Sequence, residues 1–315
     1  MNRREFLQGL AGTGGALLLA NNLAAADTSH WANQIGLELF TVRALIQKDY
    51  AGTLAKVAEI GYKEVEPAGG YGGLGPKEFR ALLDRLSLSM PSTHSGAREG
   101  ADLEKQLEGF QIMGLKYIEI SGPVRPGGPP PGGARPAGAP AANRPFTPPP
   151  QTEESVKRQA DELNKHGEIA RKFGMKILVH NHTQEFAPLA DNSKLRPYDI
   201  LLAQTDPSLV VMQLDIGWAS LAGRNIVEMF HHNPGRFELW HVKDVKGLKD
   251  GPPKDLRTAQ LVPVGQGEID YKTIFANAAL AGMKHFCVEQ DNAADSGDAI
   301  ASIRTSYTNL KQMLS

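Results

Sequence analysis

Lys176 to Phe186 reads K-I-L-V-H-N-H-T-Q-E-F, and its two halves ask for different surroundings. Ile177, Leu178 and Val179 form an apolar run with no polar face, as a strand covered on both sides requires. His180 and His182 follow two residues apart, so on an extended chain both rings project to one side, and Glu185 comes close behind. Apolar runs that end abruptly in ligand-type residues recur along the chain, always with the polar group at the C-terminal end.

Working outward, further strand-like runs occur at Ile35–Phe40, Tyr62–Pro67, Leu88–His94, Lys116–Ser121, Leu209–Leu214, Phe237–Val242 and Lys284–Val288. Helical periodicity separates them, over Tyr50–Ile60, from Pro76, over Asp102–Met113, Glu153–Phe173, Pro197–Ala203 and Ile226–His231, after Asp270, and over Ala299–Leu314. Gly122–Pro150 is almost entirely Pro, Gly, Ala and Arg, a composition that packs no core, and reads as a disordered or polyproline insertion. With it set aside, eight strand-then-helix units recur about every 25 to 35 residues, which predicts a single α/β domain, a (β/α)₈ TIM barrel, over residues 33–315. An open doubly wound sheet would need a glycine-rich phosphate turn after an early strand, and no such turn is present.

The N-terminus is read apart from the fold. Paired arginines at Arg3-Arg4 precede Phe6-Leu7, a mild apolar stretch covers Leu10–Ala20, and Ala24-Ala25-Ala26 offers a cleavage site. Residues 1–26 resemble a twin-arginine (Tat) signal, which exports proteins already folded and predicts a periplasmic protein with no stable membrane anchor after cleavage. The apolar stretch is too short for a comfortable membrane span. The single cysteine, Cys287, excludes an internal disulfide. A formal net charge of −1 without a basic block beyond the N-terminus argues against nucleic acid as a partner. The chain does not disclose an oligomeric state.

In a barrel of this kind the C-terminal strand ends form the catalytic face. Period-two alternation puts Glu64 and Glu66 on one side of their strand, and His241 and Lys243 on one side of theirs. His94, Glu119, His180, His182, Asp215 and Glu289 stand at or near the ends of others. Each has a bland explanation alone: a satisfied histidine, a turn-forming Asp215, a loop-holding Glu66. Five or more together at one end are harder to account for, because clustered charge is costly to bury without a partner. Carboxylates and imidazoles on adjacent strands make a good site for Mn²⁺, Co²⁺ or Zn²⁺. His182, Asp215, His241 and Glu289 are the expected ligands. Glu66, His94, Glu185 and Trp218 are the expected substrate contacts. His166, His231, His232 and His285 are given no role.

The motifs L-E-L-F-T-V-R (Leu37–Arg43), Y-K-E-V-E (Tyr62–Glu66), H-N-H-x-x-E-F (His180–Phe186), L-D-I-G-W (Leu214–Trp218), H-V-K-D (His241–Asp244) and V-E-Q-D (Val288–Asp291), in this order, resemble the sugar phosphate isomerase/epimerase family. These are xylose isomerase-like barrels related to AP endonucleases. The resemblance implies a divalent metal, a small carbohydrate or polyol substrate, and proton transfer through a metal-stabilised enediolate, with Glu289 as ligand and acid/base and His180 and Lys243 as the further groups that move protons. With such a substrate, Trp218 and Phe186 serve either as apolar platforms for a sugar ring or as packing. The leading expectation is therefore an isomerase or epimerase of a non-phosphorylated sugar or keto-sugar, since no phosphate cradle is present. His180 stands where family epimerases carry a glutamate, which leans toward the inosose dehydratase branch and gives the alternative, a lyase or hydratase acting on a keto-sugar or keto-glycoside. A sugar-binding barrel without turnover is the third reading. The nuclease relatives want a histidine three residues after the Asp215 position, and Trp218 stands there.

Overall fold

The structure is a computed structural model that describes residues 28–121, 151–249, 251–253, 259–293 and 297–315. The expected export signal (1–26) and the Pro/Gly-rich insertion (122–150) lie outside the described residues.

Seven parallel strands curl round in the order Glu64–Glu66, Gly36–Glu38, His285–Val288, Leu239–Val242, Val210–Asp215, Lys176–His180 and Tyr117–Ile118. The space between the first and last of these is spanned by the segment expected as the third strand, Leu88–His94. It pairs with its neighbours by single parallel bridges, Glu64 to Ser89 and Ser92 to Tyr117, in place of a continuous ladder. Pro91 explains the reduction. It has no N–H to give a ladder, so it can only accept, and its carbonyl takes the amides of Lys116 at 2.8 Å and Tyr117 at 3.0 Å. The ring is closed, with a proline-interrupted segment where an eighth regular strand was expected.

Two other strands are shorter than their hydrophobic runs suggest. The first stops at Glu38, and Leu39–Val42 turns away as a 3₁₀ helix, so Leu39 and Val42 reach the core from outside the sheet. The fourth run breaks at Glu119, whose carbonyl accepts from Ala97 N at 2.8 Å, and Ile120–Ser121 pairs with Ala97–Arg98 in a small separate sheet.

Alternation along the strands sorts the side chains by face. Ile177, Val179, Val210, Met212, Trp240 and Phe286 pack outward under the helices, where Trp240 stacks on Phe230 with ring centroids 5.2 Å apart. The opposite face points into the barrel, where Tyr117, Leu178, Val211 and Leu239 form their own apolar cluster. At the N-terminal end of the strands His285 Nδ1 lies 2.9 Å from Glu64, and Glu238 takes both the Tyr117 hydroxyl at 2.7 Å and Lys176 Nζ at 2.6 Å. The inward residues one step further along each strand are almost all polar, and they build the site at the other end.

Candidate active site

Glu66, Gln213, Asp215 and His241 point inward from their strands, and Lys243 and Glu289 continue the same face just past two strand ends. All six are 8% exposed or less, far from the usual state of such side chains. His241 organises them. Its Nδ1 lies 2.7 Å from Glu289 Oε2 and 3.9 Å from Asp215 Oδ2, while its Nε2 lies 2.7 Å from Glu66 Oε1. An imidazole with carboxylates on both nitrogens donates from both; burial alone would favour the neutral ring, but Glu66 and Glu289 hold it well above the usual histidine range.

Glu66 lies beneath the site, not on its wall. It is fully buried, meets His241 and His94 Nε2 (2.9 Å) with one oxygen, and accepts from Gln213 Nε2 (2.7 Å) and the Ser92 hydroxyl with the other. Burial would raise its pKa, yet His94 and His241 hold it well below the carboxylate range. The substrate contact expected of Glu66 is therefore replaced by a supporting one. His94 lines the cavity as expected. Glu66 outweighs the effect of burial on its ring and lifts it to about 9.

Lys243 is also buried. Its Nζ lies 2.7 Å from Asp291 Oδ2, 2.9 Å from Asp215 Oδ2 and 3.1 Å from Glu289 Oε2, and sits 4.5 Å from the centre of the Trp218 ring. Burial pulls an ammonium down, but Asp215, Glu289 and Asp291 together hold it above its ordinary value. Trp218 is a floor for this ammonium, and Phe186 packs against Tyr198 at 4.7 Å, in the core. Asp215 fulfils two roles at once. Its Oδ1 caps the Ile216–Leu221 helix by accepting from Trp218 N at 2.8 Å, while Oδ2 faces His241 and Lys243 without making a hydrogen bond among the described residues. Burial lifts it to about 6 against the pull of Lys243. For Glu289 the balance reverses: Lys243 and His241 overcome burial and hold it well below the carboxylate range.

His180 and His182 project to one side, their rings 4.9 Å apart, as their spacing predicts. His180 stands among the site histidines, 4.7 Å from the His241 ring and 4.8 Å from His94. Its Nδ1 is buried with no hydrogen-bond partner among the described residues, and burial followed by the nearby His241 and His94 keeps it well below the usual range, hence neutral. His182 leans toward Trp218, ring centroids 6.0 Å apart. Glu185 accepts from the His182 amide at 2.7 Å and so holds the turn.

Above these groups opens a cavity of 830 Å³, walled by His94, His180, His182, His241, Glu289 and Asp291 on one side and by Glu38, Phe40 and Arg43 on the other. Sequence reasoning gave no role to this second wall. Glu38 ends a strand in a carboxylate, the very pattern that marked the others, but Leu39-Phe40 hid the strand end by prolonging the apolar run. Two sets of ligand atoms lie within 4.8 Å of one another among the described residues: Asp215, His241 and Glu289, and His94, His180 and His241. His182 belongs to neither.

Residues 54–306 match the family described as Xylose isomerase-like TIM barrel. The chain belongs to that family. Among its relatives, inosose dehydratase of Geobacillus kaustophilus (strain HTA426) is 29% identical over 241 residues, 71% of this chain and 73% of that enzyme. Among solved structures, a sugar phosphate isomerase/epimerase from Parabacteroides distasonis ATCC 8503 superposes with a TM-score of 0.65 at 20% identity, over 88% of this chain and 97% of that one. The IOLI protein with a bound zinc atom superposes with a TM-score of 0.61 at 15% identity, over 89% and 98%. The barrel expected from the strand pattern and the xylose isomerase-like family expected from the motifs are both borne out.

Proposed function

We propose that this xylose isomerase-like barrel is a divalent-metal-dependent lyase that removes water from a polyhydroxy ketone. The observation that carries the reading is the neutral, half-buried His180 on the cavity wall, its Nδ1 without a hydrogen-bond partner among the described residues, where an epimerase of the family would present a carboxylate. The similarity to inosose dehydratase supports the same choice and moves the weight from the isomerase or epimerase first expected to the lyase alternative.

Asp215, His241 and Glu289 fit one Zn²⁺, Mn²⁺ or Co²⁺: they offer mixed oxygen and nitrogen donors within 4.8 Å, and Asp215 Oδ2 is buried without a hydrogen bond among the described residues. Glu66 on the far nitrogen of His241 is the carboxylate partner that orients a metal-ligating histidine. Asp291, the nearest partner of Lys243 at 2.7 Å, would remain to it if Asp215 and Glu289 held an ion. A cation held there supplies one thing, polarisation of the ketone oxygen, which acidifies the adjacent C–H. His180 takes that proton, and its depressed basicity fits a group that must be neutral before the reaction. His94, held charged by Glu66, presents a donor to a substrate hydroxyl.

The test is incubation of the metal-loaded protein with cyclic and open polyhydroxy ketones, following loss of one water by mass and the rise of conjugated-enone absorbance. Water loss that a chelator stops and added cation restores supports the proposal. Interconversion of ketoses without loss of water would return the isomerase reading, and binding with no turnover of any polyhydroxy ketone would return the binding barrel.

A further inference from the structure

Glu38 is the acidic side chain of the cavity wall that the chemistry above leaves unused. It is 2% exposed, lines the cavity, has no ion pair among the described residues, and its Oε2 accepts no hydrogen bond from any of them. An unpartnered carboxyl oxygen at that depth is costly unless something outside the fold completes it. Register explains its crowding. Glu38 pairs across the sheet with Glu66, and the neighbouring pair Leu37 to Val288 sets it beside Glu289 on the other side. His180 lines the same cavity from a strand several places round the barrel.

Resting on the lyase reading, we propose that Glu38 is a second catalytic residue, the acid that gives its proton to the departing hydroxyl while His180 removes the proton from carbon. The step balances without a further reactant. The C–H bond next to the ketone breaks and its proton goes to His180, its electron pair forms the new C=C bond, and the C–O bond at the next carbon breaks. The hydroxyl leaves with the Glu38 proton as water, and the His180 proton returns to Glu38 through solvent. A buried acid is suited to this task because hydroxide is a poor leaving group, and general acid catalysis typically contributes about 10² to 10⁴ in rate.

The test compares leaving groups. Glu38→Gln keeps the shape and removes the acid, so elimination of water should fall by about 10² to 10⁴. Fluoride departs without needing a proton, so elimination from the analogue carrying fluorine in place of that hydroxyl should stay near the wild-type rate. Deuterium uptake from D₂O at the carbon next to the ketone and metal content should also hold. Glu38→Asp, which restores a carboxyl on a shorter arm, should recover part of the water elimination, and it carries the same comparison should Glu38→Gln not fold. Equal losses for water and fluoride, or undiminished water elimination, would overturn the assignment to Glu38 while leaving the lyase reading intact. Failure of the wild-type protein to eliminate either group from any polyhydroxy ketone would overturn both.

Discussion

Glu66 is buried completely and charged, which the fold tolerates because four groups converge on its two oxygens. Such a residue acts through its neighbour. Glu66→Gln keeps a hydrogen-bonding group near His241 Nε2 but removes the charge, and should weaken Zn²⁺ or Mn²⁺ affinity by about 10- to 100-fold, read by competition against a chromophoric chelator. Unchanged affinity would mean that the metal does not depend on His241. The contrast between Glu66 and Glu38 marks where sequence reasoning reaches its end at this scale. Both are strand-end carboxylates, and alternation alone places both inside the barrel. Only three-dimensional packing tells which is covered by histidines and which lines the cavity. For the same reason Asp215, His241 and Glu289 were legible as a set, whereas the second wall of Glu38, Phe40 and Arg43 was not: the first strand runs into a 3₁₀ turn whose apolar residues look like more strand.

Strand ends and the turns that follow them hold these side chains at fixed angles. The Leu214–Trp218 motif combines a strand end, a helix cap and a glycine, and each has a physical task. Asp215 caps the helix. Gly217 lets that helix lie directly on Lys243, because a Cβ built there would come within 2.7 Å of the Lys243 carbonyl and 2.9 Å of its Cβ and Cγ. Gly217→Ala should therefore force the helix off Lys243 and destabilise the protein by about 1–3 kcal/mol, read as a lower urea midpoint with the slope unchanged. An unshifted midpoint would show that the helix moves freely against the strand. Element positions were largely readable from periodicity. The helices over Tyr50–Ile60 and Ala299–Leu314 lie where predicted, since apolar spacing and caps at Asp49 and Asp298 agree. The third strand was overcalled because its apolar pattern outvoted Pro91, whose missing N–H limits the segment to two bridges.

At the scale of the molecule, the barrel gathers several groups that hold protons more tightly folded than unfolded. Asp215 is raised from 3.8 to about 6 and Glu38 from 4.5 to about 8, both chiefly by burial; His94 is raised from 6.5 to about 9 by Glu66, against burial. Each contribution is fully present below the unfolded value and is lost as pH rises through the folded one, so the folded state binds more protons across this window. The metal-free protein should accordingly show a Tm that falls between pH 6.5 and about pH 9, where Glu38 and His94 give up protons and above the range in which the depressed His180 and His182 act in the opposite sense, measured by thermal melts in the presence of chelator. A Tm that rises over that interval would contradict the proton balance. Added Zn²⁺ or Mn²⁺ should stabilise most at the alkaline end, where fewer protons compete for the same oxygens and nitrogens.

The central claim is that one divalent ion is held by side chains from three adjacent strands. Elemental analysis of the purified protein beside its Asp215→Ala variant tests it most directly. The account predicts about one divalent ion per chain in the wild type and its loss in the variant. A wild-type protein that carries no metal and takes up none from Zn²⁺, Mn²⁺ or Co²⁺, or a variant that retains the full complement, would contradict it.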